Sequence, residues 1–306
     1  MERIFDPLIA DLQHEHARAA HERRVWRSRA IHIAGWVVFL KVLVICAWKE
    51  LATAERWTAD ERKGLVRMLA ITAVLIVGLT GAFLYRSGNN YPRVLLHVSS
   101  KRLLYLAPVT FVGAVAVGPA LGLMFGFVGR RVTRRLAATA ILLGVAASAA
   151  TFVDVGWVRP ASLIRYRILV FGETDPTPRM GEQSIAALAR HIETFTDPAF
   201  AHFGYLGALS FDYHTRVAIS FSPLVFTLLA LSMMFGGFRR RLILSAAVCV
   251  LFVGWSTLRG YITPWGRVQL PAYVAAWAPE GAILATAALI TLISTHQRRA
   301  RRLPAT

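Results

Sequence analysis

Ionisable residues beside long apolar stretches are the first places in this sequence where chemistry is expected. Asp154 follows the apolar stretch Leu136–Val153, and Arg159 stands shortly after it. An ionisable group at the end of a membrane segment is a functional candidate, because its removal from water is energetically unfavourable. The two residues predict either a gate at the outer mouth of a membrane protein or an acidic residue in ordinary contact with interfacial water.

A second group of candidates is basic and also flanks apolar stretches. Guanidinium and ammonium groups bind phosphate oxygens through charge-assisted hydrogen bonds, so these residues are predicted to grip lipid phosphates. Snorkelling of long basic side chains to the membrane surface is the alternative interpretation. The predicted lipid-binding residues are Arg86, Arg93, Lys101, Arg102, Arg165 and Arg167.

The most basic turn of the chain is Gly129–Arg135. The positive-inside rule predicts that it lies in the cytoplasm. Its arginines either bind a cytoplasmic partner or act only as a topology signal, and the two interpretations explain the turn equally well. These arginines are Arg130, Arg131, Arg134 and Arg135.

Neither a metal site nor a catalytic centre is predicted. His14, His16 and His21 lack the i, i+4 spacing that places two ligands on one helix face, which favours a solvated helix face over a metal site. Cys46 and Cys249 both lie in apolar runs and are interpreted as packing residues. The spans show no nucleophile with a nearby base and no paired carboxylates at helical spacing, so we expect a protein that is not an enzyme and needs no cofactor.

The elements that must position these residues are membrane helices. Hydrophobic residues make up 56% of the 306 residues, and a net charge of +18 is concentrated outside the apolar stretches. About 20 apolar residues are enough for a helix to cross the hydrocarbon layer. Nucleic acid is not expected as a partner, because no base-reading motif accompanies the positive charge. The predicted spans are Val66–Tyr85, Leu103–Val128, Leu136–Val153, Val217–Phe235, Leu242–Leu258 and Ala278–Ile293.

The fold class predicted from these stretches is an all-α integral membrane protein with six transmembrane helices. Ala30–Trp48 is a further apolar stretch with Lys41 near its middle and basic residues on both sides, so an elbow helix in the membrane interface is preferred to a seventh span. The predicted organisation is an N-terminal part (1–65), spans one to three (66–154), a small periplasmic segment (155–211), spans four to six (212–296) and a basic tail (297–306).

Two local patterns add detail. Gly118, Gly122 and Gly126 form a small-residue ladder on one face of the second span, which indicates close helix packing. Ser184 is followed by an apolar pattern and predicts the N-cap of a short helix in the segment between spans three and four.

Three passages resemble the lipopolysaccharide-export permeases of the LptF/LptG type. They are RRLAATAILLGVAASAATFVDVGWVRPASLIRYR (134–167), DYHTRVAISFSPLVFTLLALSMMFGGFRRR (212–241) and LPAYVAAWAPEGAILATAALI (270–290). They are similar to the third span with its exit, the fourth span, and the lead into the sixth span of that family.

The resemblance implies a multi-pass protein of the bacterial inner membrane that forms a laterally open cavity for an amphiphilic lipid. It also implies two partners, a second permease of the same kind and a cytoplasmic ATPase, because this chain has no G-x-x-x-x-G-K-[ST] loop of its own. The segment between spans three and four is too short for the β-rich periplasmic domain of the family, so the chain is interpreted as a short, divergent member. A non-transporting scaffold or regulatory subunit with the same helices is the alternative.

Overall fold

The structure is a computed structural model in which two compact units are distinguished, residues 1–54 and residues 55–306. In the first unit, residues 41–42 and 44–49 are helical, with Lys41 exposed and Ala47 buried. The rest of Ala30–Trp48 lies outside the described residues, so the choice between an elbow helix and a span stays a prediction. The structure describes residues 41–42, 44–49, 58–89, 105–126, 133–172, 175, 177–179, 182–195, 205–235, 241–268 and 270–300.

The described part of the second unit is helical and contains no strand. A π-helical segment, Asp154–Val158, joins α3 directly to α4. The helices are α1 (Ala59–Asn89), α2 (Ala107–Gly126), α3 (Arg134–Val153), α4 (Arg159–Phe171), α5 (Ile185–Phe195), α6 (Tyr205–Phe235), α7 (Arg241–Val268) and α8 (Ala272–Ala300).

Among the described residues, six helical segments are long and apolar enough to cross a membrane, which confirms the predicted all-α integral membrane fold. They alternate in direction along the chain. We call the end of the bundle where α1 and α3 begin the basic end, and the opposite end, which carries α4 and α5, the α5 end. The six segments are Ala59–Ala82, Ala107–Gly126, Arg134–Leu169, Leu206–Phe235, Ala246–Thr263 and Ala272–His296.

The third and fourth segments extend furthest beyond the predicted spans. The third continues past Val153 through the π segment and α4, with Pro160 in the first turn of α4, until Gly172 ends it with a left-handed φ of 65°. The fourth begins near Leu206, well before the predicted Val217, because Leu209 and Phe211 are buried and extend the apolar face of α6 towards the α5 end.

The glycine ladder of α2 packs on α1, as the sequence predicts. A Cβ atom on Gly118 would lie 2.7 Å from Ile76 Cγ1, and one on Gly126 would lie 2.7 Å from Met68 Cα. A Cβ on Gly122, between them, would lie 3.0 Å from the Met68 carbonyl oxygen. Only glycine permits this approach, so α1 and α2 pack backbone against backbone.

At the basic end, α1 and α3 are also joined by polar contacts. Thr58 caps α1 in a reciprocal capping box, since its backbone N–H donates to Glu61 Oε2 and its hydroxyl accepts from the Glu61 N–H, both over 3.2 Å. The same Glu61 oxygen lies 3.9 Å from Arg135 Nη1 at the start of α3. The first and third spans are therefore fixed to each other at this end.

Helix α6 is the centre of the second unit and packs against α2, α3, α5, α7 and α8. Pro223 lies in its interior, where a proline removes one helical hydrogen bond. The backbone N–H of the next residue, Leu224, donates to Ser148 Oγ of α3 over 3.2 Å. A side chain of a neighbouring helix thus accepts a hydrogen bond from the α6 backbone beside the proline, as expected for membrane helices.

Candidate functional site

Polar side chains gather in two places in the second unit, one at the α5 end and one inside the spans. The first contains Asp154, the opening residue of the π segment, whose side chain is buried. Its Oδ2 atom has no hydrogen-bond partner among the described residues. π segments interrupt α-helices rarely and often at functional sites, so the position agrees with, but does not test, the predicted role in gating.

Arg159, the predicted partner of Asp154, opens α4 and is half-buried. It lies within electrostatic range of Asp154 and also of two α6 residues, Asp212 and Arg216. Arg216 is buried, donates through Nη2 to Asp212 Oδ2 over 3.2 Å, and donates through Nη1 to the Gln183 carbonyl just before α5. The result is a charge cluster of two acids and two arginines at the junction of α4, α5 and α6.

The two predicted lipid-binding residues of α4 have opposite surroundings. Arg165 is exposed, whereas Arg167 is buried and its Nε donates to Glu182 Oε1 over 2.9 Å. Arg167 Nη2 also donates to the Thr177 carbonyl over 2.9 Å. These contacts favour a structural role for Arg167 in holding the segment after α4, while Arg165 remains available for a lipid phosphate.

The segment between α4 and α6 is held at several points. The predicted cap of α5 is confirmed, since the N–H of Ala187 donates to Ser184 Oγ over 3.1 Å. Leu188 and Ile192 of α5 are buried against Leu209 of α6. Together with Arg167 and Arg216, these contacts fasten α5 to the start of α6.

Most other predicted site residues cannot be placed. Arg93, Lys101, Arg102, Arg130 and Arg131 lie outside the described residues, and Arg86 lies in α1 with a side chain that is not described. At the basic end, Arg134 is exposed and Arg135 faces Glu61. The predicted roles of all these residues in lipid or partner binding stay predictions.

The second polar site lies inside the spans and joins α6, α7 and α8. Arg259 Nη2 of α7 donates to Glu280 Oε1 of α8. The same carboxylate oxygen accepts from Trp255 Nε1 and from Ser222 Oγ, each over 3.3 Å. The guanidinium carbon of Arg259 lies 5.0 Å from the centroid of the Trp255 ring, a cation–π distance.

This site is incompletely hydrogen-bonded. Among the described residues, Glu280 Oε2 and the Nε and Nη1 atoms of Arg259 are buried and have no partner. Phe226 and Phe252 pack around Trp255 and supply no polar atom to meet them. A polar group without a hydrogen-bond partner is unfavourable in a hydrocarbon environment. The unsatisfied atoms of Arg259 and Glu280 therefore destabilise the buried pair.

This pair was not predicted from the sequence. Glu280 is an acidic residue inside the stretch Ala278–Ile293, and an ionisable residue in a span is a functional candidate by default. That signal was sufficient to select Glu280. Its partner Arg259 directly follows the stretch Leu242–Leu258, so the sequence indicates only a charge that flanks a span. The contact between the two residues is seen only in the structure. No cluster of three or more potential metal ligands lies among the described residues.

Residues 171–293 match the protein family described as Lipopolysaccharide export system permease LptF/LptG. Over these residues the chain is similar to the LptF/LptG permeases. The resemblance is thereby confirmed for the passages at 212–241 and 270–290, which lie inside the matched range. The passage at 134–167 precedes that range, and its likeness to LptF/LptG permeases stays a prediction. No curated protein matches the sequence.

The LptF/LptG match includes the first polar site in part and the second in full. It contains Arg216 and the helix α5, and it contains the whole Arg259–Glu280 pair. Asp154, Arg159 and Arg167 lie before it. The long third-span helix, α3 with α4, therefore precedes a set of helices that is similar to the LptF/LptG permeases.

Proposed function

We propose that this chain is a permease subunit of a lipopolysaccharide-export type system, which holds an amphiphilic lipid in a laterally open cavity of the bacterial inner membrane. The observation that carries the proposal is the family match over residues 171–293, which falls on α5 to α8 of a six-span bundle. The proposal assigns ATP hydrolysis to a separate cytoplasmic ATPase, because the sequence lacks a G-x-x-x-x-G-K-[ST] loop.

A second permease is part of the proposal. Helices α1 and α7 both pack on α2, yet each exposes apolar residues along most of its length. Val74 and Val77 of α1 and Val250 and Val253 of α7 are exposed examples. We assign these faces to the lipid cavity and to the partner permease that encloses it.

At the α5 end, Arg165 is the described candidate for contact with a lipid phosphate, and the cluster of Asp154, Arg159, Asp212 and Arg216 is the candidate gate. The positive-inside rule directs this end away from the cytoplasm, because the arginine-rich turn 129–135 adjoins the basic end. At the basic end, Arg134 is the described candidate for contact with the ATPase, since Arg135 already faces Glu61.

The test is purification from native membranes in mild detergent, followed by mass spectrometry of the proteins and lipids that remain bound. Transport predicts an ATP-binding-cassette ATPase, a second permease and an enriched phosphate-bearing lipid. Arg134→Ala is expected to reduce the recovered ATPase several-fold. Arg62→Ala, an exposed arginine near the start of α1, is the matched control and is expected to retain it.

One outcome of the same purification would favour the alternative function, a non-transporting scaffold or regulatory subunit. Recovery of a homodimer without an ATPase and without an enriched lipid contradicts transport and leaves a structural or regulatory role for the same helices. Equal recovery of the ATPase with Arg134→Ala and with Arg62→Ala contradicts the proposed contact while leaving transport open.

A further inference from the structure

Arg259 and Glu280 lie at different depths in the spans. Arg259 is four residues before Thr263, the end of its candidate span, which is about 6 Å along the helix axis. Glu280 is eight residues after Ala272, the start of its span, or about 12 Å. Both distances are measured from the α5 end, so Arg259 lies closer to the end of its candidate span than Glu280 does.

The two side chains also differ in exposure and in unused hydrogen-bonding capacity. The side chain of Arg259 is 12% exposed, whereas that of Glu280 is 1% exposed. Arg259 bonds to Glu280 through Nη2, while its buried Nε and Nη1 groups are unmatched among the described residues. A guanidinium group has more donors than one carboxylate oxygen can satisfy, and phosphate is its best-matched acceptor near a membrane.

Two exposed tyrosines lie near Arg259 at the α5 end of α7 and α8. Tyr261, one half-turn nearer the surface on α7, is exposed, and so is Tyr273 at the start of α8. Tyrosine is enriched where the hydrocarbon layer meets the headgroups, so both residues mark that level beside Arg259. Long arginine side chains extend from inside a membrane to this level by snorkelling.

We propose that Arg259 is a phosphate-binding residue that alternates between Glu280 inside the spans and a phosphate group at the membrane surface. In the described state it bonds to Glu280. In the other state its unused N–H groups bind phosphate oxygens, and Glu280 keeps only Ser222 and Trp255. A carboxylate left without a counter-charge in hydrocarbon takes up a proton, so the exchange changes the charge of Glu280.

The exchange has a mechanical consequence for α6. Ser222, which donates to Glu280, precedes Pro223, and Leu224 on the other side of the proline donates to Ser148. A protonated Glu280 is a weaker acceptor for the Ser222 hydroxyl, because hydrogen bonds to ionised groups are the stronger ones. Phosphate binding at Arg259 therefore loosens one of the two interhelical contacts that hold α6 at its proline.

The test measures the protonation of Glu280 with dicyclohexylcarbodiimide, a lipid-soluble reagent that modifies protonated carboxyl groups. The purified chain is placed in nanodiscs of phosphatidylglycerol or of the phosphate-free digalactosyldiacylglycerol, and modification at Glu280 is read by peptide mass spectrometry. We expect several-fold more modification in phosphatidylglycerol. Inorganic phosphate added to the galactolipid nanodiscs separates the two sources, since a rise there shows that free phosphate is bound as well.

Variants control the assignment. Arg259→Gln is expected to give high modification of Glu280 in both lipids, and Glu280→Gln is expected to give none at that position. Arg190→Gln, at an exposed arginine of α5 with no assigned role in lipid binding, is expected to behave like the chain without substitutions. If Arg259→Gln does not fold, the comparison of Glu280 modification between the two lipids, made on the chain without substitutions, still tests the proposal.

Two results overturn the proposal. If Glu280 of the chain without substitutions reacts equally in all three conditions, Arg259 and Glu280 form a fixed structural pair. No increase with folded Arg259→Gln shows that Arg259 does not keep Glu280 charged. Because the experiment uses the chain without an ATPase or a second permease, its outcome is independent of whether the chain transports lipid.

Discussion

Ser148 and Leu224 are joined by a hydrogen bond between two spans, in which the Leu224 backbone N–H donates to Ser148 Oγ over 3.2 Å. Both groups are buried, and Gly144, one turn before Ser148, permits the close approach, since a Cβ there would lie 3.3 Å from Leu224 Cα. The bond falls beside Pro223, so α3 stabilises α6 where its own hydrogen-bond ladder is weakest.

Ser148→Ala is expected to destabilise the protein by about 1 kcal/mol, because it leaves the buried Leu224 N–H without its side-chain acceptor. The measurement is reversible unfolding in mixed micelles titrated with sodium dodecyl sulfate. Ser256→Ala, at an exposed position of α7, removes a hydroxyl of the same kind and is expected to change little. Equal shifts for the two variants would show that the interhelical bond contributes nothing.

Gly126→Ala is expected to destabilise the contact of α2 with α1 by about 1–3 kcal/mol, as overpacking does. The new methyl group would lie 2.8 Å from Met68 N, and backbone atoms cannot move aside cheaply. Gly254→Ala in α7 is the matched control, since nothing lies within 4 Å of its Cβ position and alanine favours a helix. The same micelle titration checks both, and a more damaging Gly254→Ala would contradict the close packing of α1 and α2.

Arg165→Gln and Arg167→Gln are expected to have different effects although the residues are two apart. Arg167→Gln breaks the buried pair with Glu182 and is expected to make residues 172–184 sensitive to limited proteolysis. Arg165→Gln is expected to leave proteolysis unchanged and to reduce the amount of co-purified phosphate-bearing lipid. Proteolysis that is equally enhanced by both variants would contradict this division of roles.

Asp175 gives a pH dependence outside the spans. Hydrogen bonds from the Thr177 hydroxyl and from the Thr177 N–H, the latter over 2.8 Å, lower the pKa of this exposed carboxyl below its ordinary value. The stabilisation is therefore fully present above the ordinary pKa of aspartate and is lost as the pH falls through the lowered pKa. Thr177→Val keeps the N–H but removes the hydroxyl, so carbon-13 NMR of the carboxyl is expected to show a pKa nearer the ordinary value. An unchanged pKa would exclude the hydroxyl as its cause.

Much of the fold follows from patterns that are local in the sequence. Hydropathy predicts six spans because each must supply its own apolar length, and the four-residue spacing of Gly118, Gly122 and Gly126 places them on one face. The cap at Ser184 is equally local. These features depend on a few consecutive turns of helix, so one sequence is enough to find them.

The polar sites were only partly predictable, because they depend on which helix faces meet. Arg165 and Arg167 look alike in the sequence, yet residues two apart on a helix point in nearly opposite directions, and only the packing of α4 decides which is buried. Glu280 was recognisable as an acid in an apolar stretch, but its partner comes from another span. The direction in which the side chains of α4 point depends on a π segment that no residue pattern predicts.

That π segment, Asp154–Val158, amounts to one extra residue in an otherwise α-helical rod from Arg134 to Phe171. An added residue turns everything after it by about 100° around the helix axis. Shortening the stretch between Thr151 and Arg159 by one residue would therefore rotate Arg167 away from Glu182 without altering either side chain. The number of residues between Thr151 and Arg159 therefore determines how α4 is rotated about its axis. In a comparison with relatives, that number indicates which face of α4 meets lipid.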